Sequence, residues 1–457
     1  MENNQPIIRS TLHKLLEEKK FNALRDVLIT ISAPDLAILF LEFGMEELPF
    51  YFRLLPKDLA AQTFVEMDSD EQKQLIESFS DQELTELLNE VFADDVVDII
   101  EEMPASVVNR IIAKSDNRLR QDINKLLKYP VNSAGSIMTT EYVALNPKCT
   151  VDEAIKYIRQ VGVDRETIYS CYVSDNKKLV GIVSFREIIL APSKNTLIEE
   201  IMNENVISAM TTTDQEDIVH MMRKYDFLAL PIVDSETRLV GIVTFDDAMD
   251  VLVEETTEDM EIMGGMAPSE KTYLKSSPID LFKHRIGWLL FLMVSATFTG
   301  IIISSFEEAL ATQIALVAFI PMLMDTGGNS GSQSSVTVIR ALSLGEVEMK
   351  DVLVIIWKEL RTALLTGLVL SVVCFGKIMI IDRVLLNNPL VTPMVALVVC
   401  LTMIFTVVVA KIIGSMLPIF ALKIGVDPAV MSSPMLTTIV DALSLIIYLS
   451  VATLLLM

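Results

Sequence analysis

The sequence predicts a multi-domain membrane protein with four parts: an acidic α-helical superhelical N-terminal domain, a tandem α/β module, a long connecting helix and a five-helix transmembrane domain. Three observations support this prediction. Of the 37 basic and 61 acidic side chains, 10 of each lie from residue 281 onward, which leaves 27 basic and 51 acidic ones in residues 1–280. A motif recurs 60 positions later within residues 137–253, and five long apolar segments follow.

Residues 1–130 alternate apolar and charged positions at helical spacing, with interruptions at Ala33-Pro34, Leu55-Pro56 and Met103-Pro104. The segments 55–61 and 102–108 look like repeated helix starts. Such a pattern favours a stack of short helices wound into a superhelix.

The segment 131–253 contains the duplication. Lys178-Leu-Val-Gly-Ile-Val-Ser-Phe is matched by Arg238-Leu-Val-Gly-Ile-Val-Thr-Phe, and an Ile-Met pair at 137–138 and at 201–202 opens each copy. Each copy reads as an apolar strand, a turn, a second strand ending in Gly-Ile-Val, and a helix. The pair resembles tandem CBS domains, α/β modules that pair back to back and often bind adenosine nucleotides.

The segment from Asp250 to Ala267 is acidic and has helical spacing, which stops at Gly264-Gly265. It is predicted to connect the soluble half to the membrane. The predicted domains are 1–130, 131–253 (with CBS copies at about 137–199 and 200–253), 254–280 for the connecting helix and 281–457 for the transmembrane domain.

Each of the five apolar segments is long enough for the roughly 20 residues that a membrane span needs. Basic residues precede the first and follow the second, so the positive-inside rule places the soluble half in the cytoplasm and, with five spans, the C-terminus outside. Residues 1–20 lack the apolar core of a signal peptide, which agrees with a cytoplasmic soluble half. The segments are about 286–306, 311–343, 352–381, 390–420 and 430–457.

Asp441 lies inside the fifth segment, where a carboxylate costs several kcal/mol unless it faces water or a cation. At helical spacing it shares a face with Thr437 and Ser444. Two interpretations stay open: an ion pair with Lys411, or a carboxylate that lines a pathway.

The second segment is interrupted by the polar run 321–335. Its glycines allow close helix approach, while Asn329 and Gln333 could hydrogen-bond to another helix. The run therefore indicates either helix packing alone or the wall of a pore. The glycines are Gly327, Gly328 and Gly331.

Other motifs are less specific. Asp427-Pro428 suits a helix start, so capping alone could explain it.

The four cysteines show no CxxC spacing, which disfavours a disulfide framework or a zinc site. Nothing resembles a P-loop or a phosphorylated-Asp pump, so active pumping is disfavoured, and the chain is predicted not to be an enzyme. The acidic soluble half argues against nucleic acid as a partner.

Together these motifs resemble the MgtE family of magnesium transporters. The resemblance rests on Pro321-x4-Gly-Gly-Asn-x-Gly-x-Gln333, Gly425-Val-Asp-Pro-Ala429 and Pro434-x2-Thr-x3-Asp441, in the same domain order. It implies a homodimeric Mg²⁺ channel of the plasma membrane in which Asp441 of each subunit holds a hydrated ion. Ser433 and Thr437 would then accept hydrogen bonds from its water, although some members of the family have Asn at the position of Ser433.

The resemblance also implies that cytosolic Mg²⁺ binds acidic surfaces and closes the pore, so that Mg²⁺ is both substrate and regulator. A CBS nucleotide site would use Thr244 and Asp247, with Ser184 and Glu187 at the same positions of the first copy, so ATP or another adenine nucleotide is a candidate regulator. The candidate Mg²⁺ ligands are Asp94, Asp95, Asp214, Asp226, Asp246, Asp247, Asp250, Glu255, Glu258, Asp259 and Asp427.

Two other functions remain open on the sequence alone. One is a secondary transporter that couples a divalent cation to Na⁺ or H⁺. The other is a nucleotide sensor that the apolar half merely anchors in the membrane.

Overall fold

The computed structural model describes residues 5–41, 47–269, 273–274, 276–431 and 433–456. Its internal contacts divide the chain into two units, Met1–Leu252 and Val253–Met457. The first contains the N-terminal helices and the duplicated module, and the second contains the apolar helices.

Short helices that bury their apolar sides make up the described part of the N-terminal region. Pro56 and Pro104 occupy the cap positions of two of them, since proline fixes an extended backbone there and needs no helical hydrogen bond. The predicted stack of short helices is confirmed. The helices are α1 Gln5–Glu17, α2 Phe21–Leu28, α3 Ala33–Leu41, α4 Leu48–Phe52, α5 Lys57–Val65, α6 Ser69–Ser78, α7 Asp81–Leu88, α8 Ala93–Glu102, α9 Ala105–Lys114 and α10 Asn117–Leu126.

Each copy of the duplicated module forms a three-stranded sheet. The first two strands are parallel and are joined by a helix, and the third strand is antiparallel to the second. The first copy contains β1 Val143–Leu145, α11 Val151–Val161, β2 Ser170–Asp175, β3 Lys178–Ser184 and α12 Phe185–Ile189, and the second contains β4 Ala209–Met210, α13 Gln215–Tyr225, β5 Ala229–Val233, β6 Leu239–Thr244 and α14 Phe245–Met263.

The two copies exchange their opening segments. Thr139, in the opening segment of the first copy, bridges Ile242 of β6, and Asn203, in the opening segment of the second, bridges Ile182 of β3. The repeated glycines make this possible, because a Cβ at Gly181 would lie 2.5 Å from the sulfur of Met202, and one at Gly241 would lie 2.7 Å from the sulfur of Met138. The repeated Ile-Met and Gly-Ile-Val motifs are thus the two sides of one contact.

The acidic helix α14 follows β6 directly and ends at Met263. Gly265 has a φ of +70°, a left-handed conformation that terminates a helix readily at glycine. The stop predicted at Gly264-Gly265 is therefore observed. Within 254–280, the range predicted for the connecting helix, only residues up to Met263 and from Pro278 onward are helical among those described.

The second unit is built from long helices. Four segments of its described part are long and apolar enough to cross a membrane: Pro278–Ser305, Met349–Leu385, Pro393–Lys423 and Pro428–Leu456. The helices are α15 Pro278–Ser305, α16 Glu307–Thr312, α17 Ile320–Ser343, α18 Val352–Lys377, α19 Pro393–Lys423 and α20 Ser433–Leu456, with 3₁₀ turns at Ile314–Phe319, Met349–Asp351 and Pro428–Met431 and a π-helical extension at Ile378–Leu385.

The second apolar segment was predicted as one span over 311–343, but in the structure it does not form a single helix. The chain instead forms α16, a 3₁₀ turn and then α17, which begins at Ile320 with Pro321 in its first turn. The 24 residues of α17 extend about 36 Å, enough to cross a bilayer. Its polar run keeps it out of the set of apolar spans, and it is the fifth long helix of the unit.

Glycines bring α17 unusually close to its neighbours. A Cβ at Gly414 of α19 would lie 2.3 Å from the carbonyl oxygen of Gly331, and one at Gly328 would lie 3.0 Å from Thr437 of α20. Gly327 likewise meets Thr406 and Val440. The predicted small-residue interface is confirmed, with α17 packed between α19 and α20.

Gly414→Ala tests this interface. The added methyl group would collide with the Gly331 carbonyl, so we expect a loss of about 1–3 kcal/mol in the free energy of unfolding, the usual cost of overpacking. Thermal unfolding of the purified chain in detergent measures this loss. Gly376→Ala is the matched control, since its Cβ would meet nothing within 4 Å. Equal melting temperatures for the two variants would contradict the packing argument.

Candidate functional site

Asp441 lies on α20, eight residues after the helix begins, and its side chain is half-buried. The same helix places Thr437 one turn earlier and Ser444 one turn later, as the spacing predicted. Gly328 faces Thr437, and Ser444 lies beside Gly327. The carboxylate therefore lies on the part of α20 that packs near the glycines of α17.

Lys411, the basic residue considered as a partner of Asp441, binds elsewhere. It is 5% exposed, and its ammonium donates a hydrogen bond of 3.2 Å to the Ser334 hydroxyl. That hydroxyl donates in turn to Glu359 Oε2 at 2.6 Å. The chain of contacts joins α19, α17 and α18, so it satisfies the buried lysine without using Asp441.

The opposite face of α17 carries a polar stripe, which comprises Asp325, Asn329, Gln333 and Thr337. All four are exposed on the single chain and follow one another at intervals of four residues. The amide of Asn329 donates to Asp325 Oδ1 at 3.0 Å, so it binds within its own helix rather than to another helix. Lipid cannot satisfy such groups, so this stripe requires water or protein against it.

Asp325 is a residue that the sequence interpretation did not single out. It lies close enough to Asp441 to interact electrostatically, although the two belong to different helices. The sequence feature that could have identified Asp325 is its position in the polar run 321–335, two residues before Gly327. Recognising the interaction needed the antiparallel packing of α17 on α20.

The Thr437 hydroxyl donates to the Pro434 carbonyl at 2.9 Å, and the Ser433 side chain lies outside the described residues.

In the first unit, α8, the start of α14 and the loop after α11 bring a set of carboxylates together. Asp94 and Asp95 are in the first turn of α8, and Asp246 and Asp247 are in the first turn of α14. Glu166, which the sequence interpretation missed, interacts with Asp95 and Asp247. We call these five residues the acidic cluster.

Four carboxylic acids of the acidic cluster, Asp94, Asp95, Glu166 and Asp247, have a raised pKa. Burial, and then Asp247, raise the pKa of both Asp95 and Glu166 to about 7. Burial, and then Asp95, raise the pKa of Asp94 well above its ordinary value, and its Oδ1 is buried without a hydrogen-bond partner among the described residues. Burial also raises the pKa of Asp250 and of Glu66, which interact with each other.

Among the described residues, no three His, Cys, Asp or Glu side chains converge closely enough to hold a metal ion directly. The acidic cluster instead offers concentrated negative charge at looser spacing. Mg²⁺ keeps several of its water molecules and uses one or two carboxylates, so such a cluster fits a hydrated ion.

A second acidic contact lies in the other unit. Burial, then Glu255, then Asp427 raise the pKa of Glu258 on α14. Asp427 also accepts a hydrogen bond of 2.7 Å from the backbone of Ala429 and so caps the 3₁₀ turn before α20. Asp259 lies on the same helical segment, next to Glu258. Capping is confirmed for Asp427, but it leaves one carboxylate oxygen for other contacts.

Two further candidates, Asp214 and Asp226, lie at opposite ends of α13. Asp214 accepts a hydrogen bond of 2.9 Å from the Glu216 backbone, and Asp226 ends the helix in a left-handed conformation with φ of +54°. Both are exposed, and neither is among the principal charged neighbours of Asp94, Asp95, Glu166 or Asp247. Their helix-end positions are sufficient to explain both residues, and their assignment as Mg²⁺ ligands stays a prediction.

The predicted nucleotide motif forms the same local contact in both copies. The Thr244 hydroxyl donates to Asp247 Oδ2 at 2.5 Å, and the Ser184 hydroxyl donates to Glu187 Oε2 at 2.7 Å. In the first copy the pair forms a capping box at the start of α12. Thr244 is buried, and Asp247 also belongs to the acidic cluster.

Comparison with known proteins finds relatives of nearly the whole chain. Family profiles match the MgtE intracellular N domain at residues 31–132, CBS domains at 134–194 and 198–254, and the MgtE divalent cation transporter region at 320–451. The chain is 38% identical to the magnesium transporter MgtE of Thermus thermophilus over 451 residues, 98% of each chain. It is 32% identical to the magnesium transporter MgtE of Bacillus subtilis over 440 residues, 96% of this chain and 95% of the relative.

The solved structures that are similar to the first part of the chain include one with ATP bound. It is the cytosolic domain of the Mg²⁺ channel MgtE in complex with ATP, with a TM-score of 0.51 and 38% identity, and it covers 53% of this chain and 99% of its own.

The pKa values of the acidic cluster predict an unusual pH dependence. Acids with a raised pKa keep their protons in the folded state between about pH 4 and pH 7, where the unfolded chain has lost them. Without divalent cations, the stability of the contact between α8 and α14 should therefore fall as the pH rises through this range. Hydrogen-exchange protection factors of α8 in the full chain measure it.

Asp95→Asn should reduce this loss, because the substituted side chain carries no charge at any pH in this range, while Glu166 and Asp94 still titrate. Asp98→Asn is the matched control on the same helix, since Asp98 is exposed. The explanation fails if the protection of α8 in the unsubstituted chain is independent of pH, or if both variants change it equally.

Proposed function

The chain belongs to the MgtE family of magnesium transporters, and from this premise we propose that it moves Mg²⁺ down its electrochemical gradient through a pore lined by α17 and α20. The observation that carries the proposal is Asp441, a half-buried carboxylate inside a membrane-spanning helix. Lys411, the basic residue considered as its partner, binds Ser334 instead. A carboxylate in this position is stabilised by water and by a passing cation.

The chemistry of Mg²⁺ suits such a site. The ion sheds water reluctantly and is held by one or two carboxylates together with retained water. Asp441 would supply the charge, and Asp325, with Asn329 beside it, adds a second carboxylate near the same level of the pore. Ser433 and Thr437 would bind the retained water molecules.

The polar stripe of α17 supports a homodimer. Asp325, Asn329, Gln333 and Thr337 are exposed on the single chain, yet they belong to a helix that crosses the bilayer. A second copy placed around a two-fold axis would turn the two stripes toward each other and toward water, and would bring two Asp441 side chains to one path.

Cytosolic Mg²⁺ would close this pore. In the acidic cluster, Asp94, Asp95, Glu166, Asp246 and Asp247 repel one another, and in the second unit Glu258 repels Asp427. Binding of Mg²⁺ would offset the repulsion and favour the compact state in which the pore is closed. The shift depends on the ion binding that state more tightly than the separated one.

An adenine nucleotide would bind the module at Thr244 and Asp247. Support comes from the related cytosolic domain, which is in complex with ATP, and from the hydroxyl–carboxylate pair that both copies contain.

The protein is a multi-pass membrane protein. With its soluble half in the cytoplasm and five spans, the C-terminus would lie outside.

Asp441→Asn tests the pore. Removing one charge per subunit should lower Mg²⁺ flux into liposomes by at least roughly tenfold, which corresponds to about 1.4 kcal/mol of lost cation stabilisation. Asp441→Glu, which keeps the charge, should retain part of the flux. Asp351→Asn, at the start of α18, is a control that should leave it unchanged. Full flux through Asp441→Asn would refute the pore assignment, and flux that requires a Na⁺ or H⁺ gradient would indicate coupled transport.

Limited proteolysis tests the gate. Mg²⁺ in the millimolar range should slow cleavage within α14 and between α10 and β1, because it offsets repulsion in the acidic cluster. The double variant Asp95→Asn/Asp247→Asn should be protected even without Mg²⁺, whereas Asp214→Asn should respond like the unsubstituted chain. Cleavage that is insensitive to Mg²⁺ in the unsubstituted chain would rule out this sensor.

A further inference from the structure

Three sulfur atoms from three membrane helices meet in the second unit. The Cys374 Sγ of α18 lies 4.0 Å from the Met322 Sδ of α17, and the Cys374 thiol also interacts with the thiol of Cys400 on α19. Cys374 is 6% exposed and Cys400 is 5% exposed, and both are free cysteines. We call Met322, Cys374 and Cys400 the sulfur triad.

The sulfur triad lies at one end of its three helices. Met322 is in the first turn of α17, Cys400 is two turns into α19, and Cys374 is in the last turn of α18. These positions are far along the helices from the Lys411 contact. The surroundings are mostly apolar, but three polar side chains also face the sulfur triad. The Lys377 ammonium and the Asp382 carboxylate, which pair at 2.8 Å, both interact electrostatically with Cys374, and Ser371 hydrogen-bonds with the Cys400 thiol.

The distance between the Cys374 and Met322 sulfur atoms matches one edge of a particular coordination geometry. With metal–sulfur bonds of about 2.3 Å, two ligands of a trigonal ion lie about 4 Å apart. The distance of 4.0 Å between Cys374 and Met322 has this value without any movement. Thiolate and thioether sulfur are the ligands that select soft ions such as Cu⁺ over Mg²⁺, which takes oxygen.

We propose that Met322, Cys374 and Cys400 form a binding site for a soft monovalent cation of the Cu⁺ and Ag⁺ type. The ion binds both cysteine sulfurs as thiolates and the methionine thioether as a neutral third ligand. Two protons leave the thiols as one monovalent ion enters, so the occupied site carries one negative charge and lies beside the Lys377–Asp382 ion pair.

Occupation of the site would join α17, α18 and α19 by one metal ion. Because α17 presents its glycines to α20 and its polar stripe to the proposed pore, restraining it should slow Mg²⁺ transport. This consequence depends on the proposed function, whereas metal binding itself depends only on the sulfur triad.

Equilibrium dialysis of the full chain in detergent against Ag⁺, under anaerobic conditions without chloride or thiols, tests the site. The unsubstituted chain should bind one more equivalent of Ag⁺ than Cys374→Ala/Cys400→Ala. The matched control Cys149→Ala/Cys171→Ala removes the two cysteines of the first unit and should keep the equivalent held by the sulfur triad. Thermal unfolding without Ag⁺ checks that each variant is folded.

Met322→Leu conserves volume and leaves both thiols in place, so it tests the third ligand even if the double variant is unstable. We expect roughly tenfold weaker Ag⁺ binding at the site, comparable to the loss when supporting groups of a metal site are removed. Unchanged Ag⁺ binding in Cys374→Ala/Cys400→Ala, or unchanged affinity in Met322→Leu, would overturn the proposal.

Flux measurements separate this proposal from the transport function. Ag⁺ should inhibit Mg²⁺ flux of the unsubstituted chain and of Cys149→Ala/Cys171→Ala, but should have little effect on Cys374→Ala/Cys400→Ala. A chain that transports Mg²⁺ but binds no Ag⁺ at the sulfur triad would refute the soft-metal site alone. A chain that binds the Ag⁺ equivalent but carries no Mg²⁺ would refute the transport function alone.

Discussion

The close backbone contact of α17 with α19, at Gly331 and Gly414, is the constraint on which the rest of the membrane half depends. Lipid gives helices no hydrophobic reason to associate, so close packing and internal hydrogen bonds must hold them together. A helix as polar as α17 can stay in a bilayer only when its neighbours shield it. The glycines provide the shielding by contact, and the Lys411–Ser334–Glu359 chain provides it by hydrogen bonds.

Uncompensated negative charge occurs in both units of the chain. Asp441 lies inside an apolar helix bundle, and the acidic cluster gathers buried carboxylates that have each other as neighbours. Each arrangement lowers the stability of the protein until a cation or a proton arrives. In the proposed mechanism Mg²⁺ stabilises both the Asp441 carboxylate and the acidic cluster. The concentration of the transported ion on the cytosolic side therefore sets the rate of its own entry.

Local patterns in the sequence predicted much of this structure. The Gly-Gly-Asn-Ser-Gly run identified the packed helix, and the repeated Gly-Ile-Val identified the duplicated module, because both depend on residue type at short range. Glu166, Asp325 and the true partner of Lys411 could not be predicted in this way. Each depends on which helices become neighbours, and single-sequence spacing does not contain that information. The break between α16 and α17 was missed because apolar composition alone does not distinguish one long helix from two short ones joined by a turn.

The exchange of opening segments between the two CBS copies has a consequence for folding. Thr139 must reach Ile242 across more than a hundred residues, while Asn203 pairs with Ile182 nearby. Neither copy can complete its sheet edge alone, so the pair is a single cooperative unit. Such long-range pairing slows folding, because chain entropy is lost before the contact forms. During synthesis the edge of the first copy at β3 therefore stays unpaired until the second copy has been synthesised. In that interval the unpaired edge can pair with a neighbouring chain.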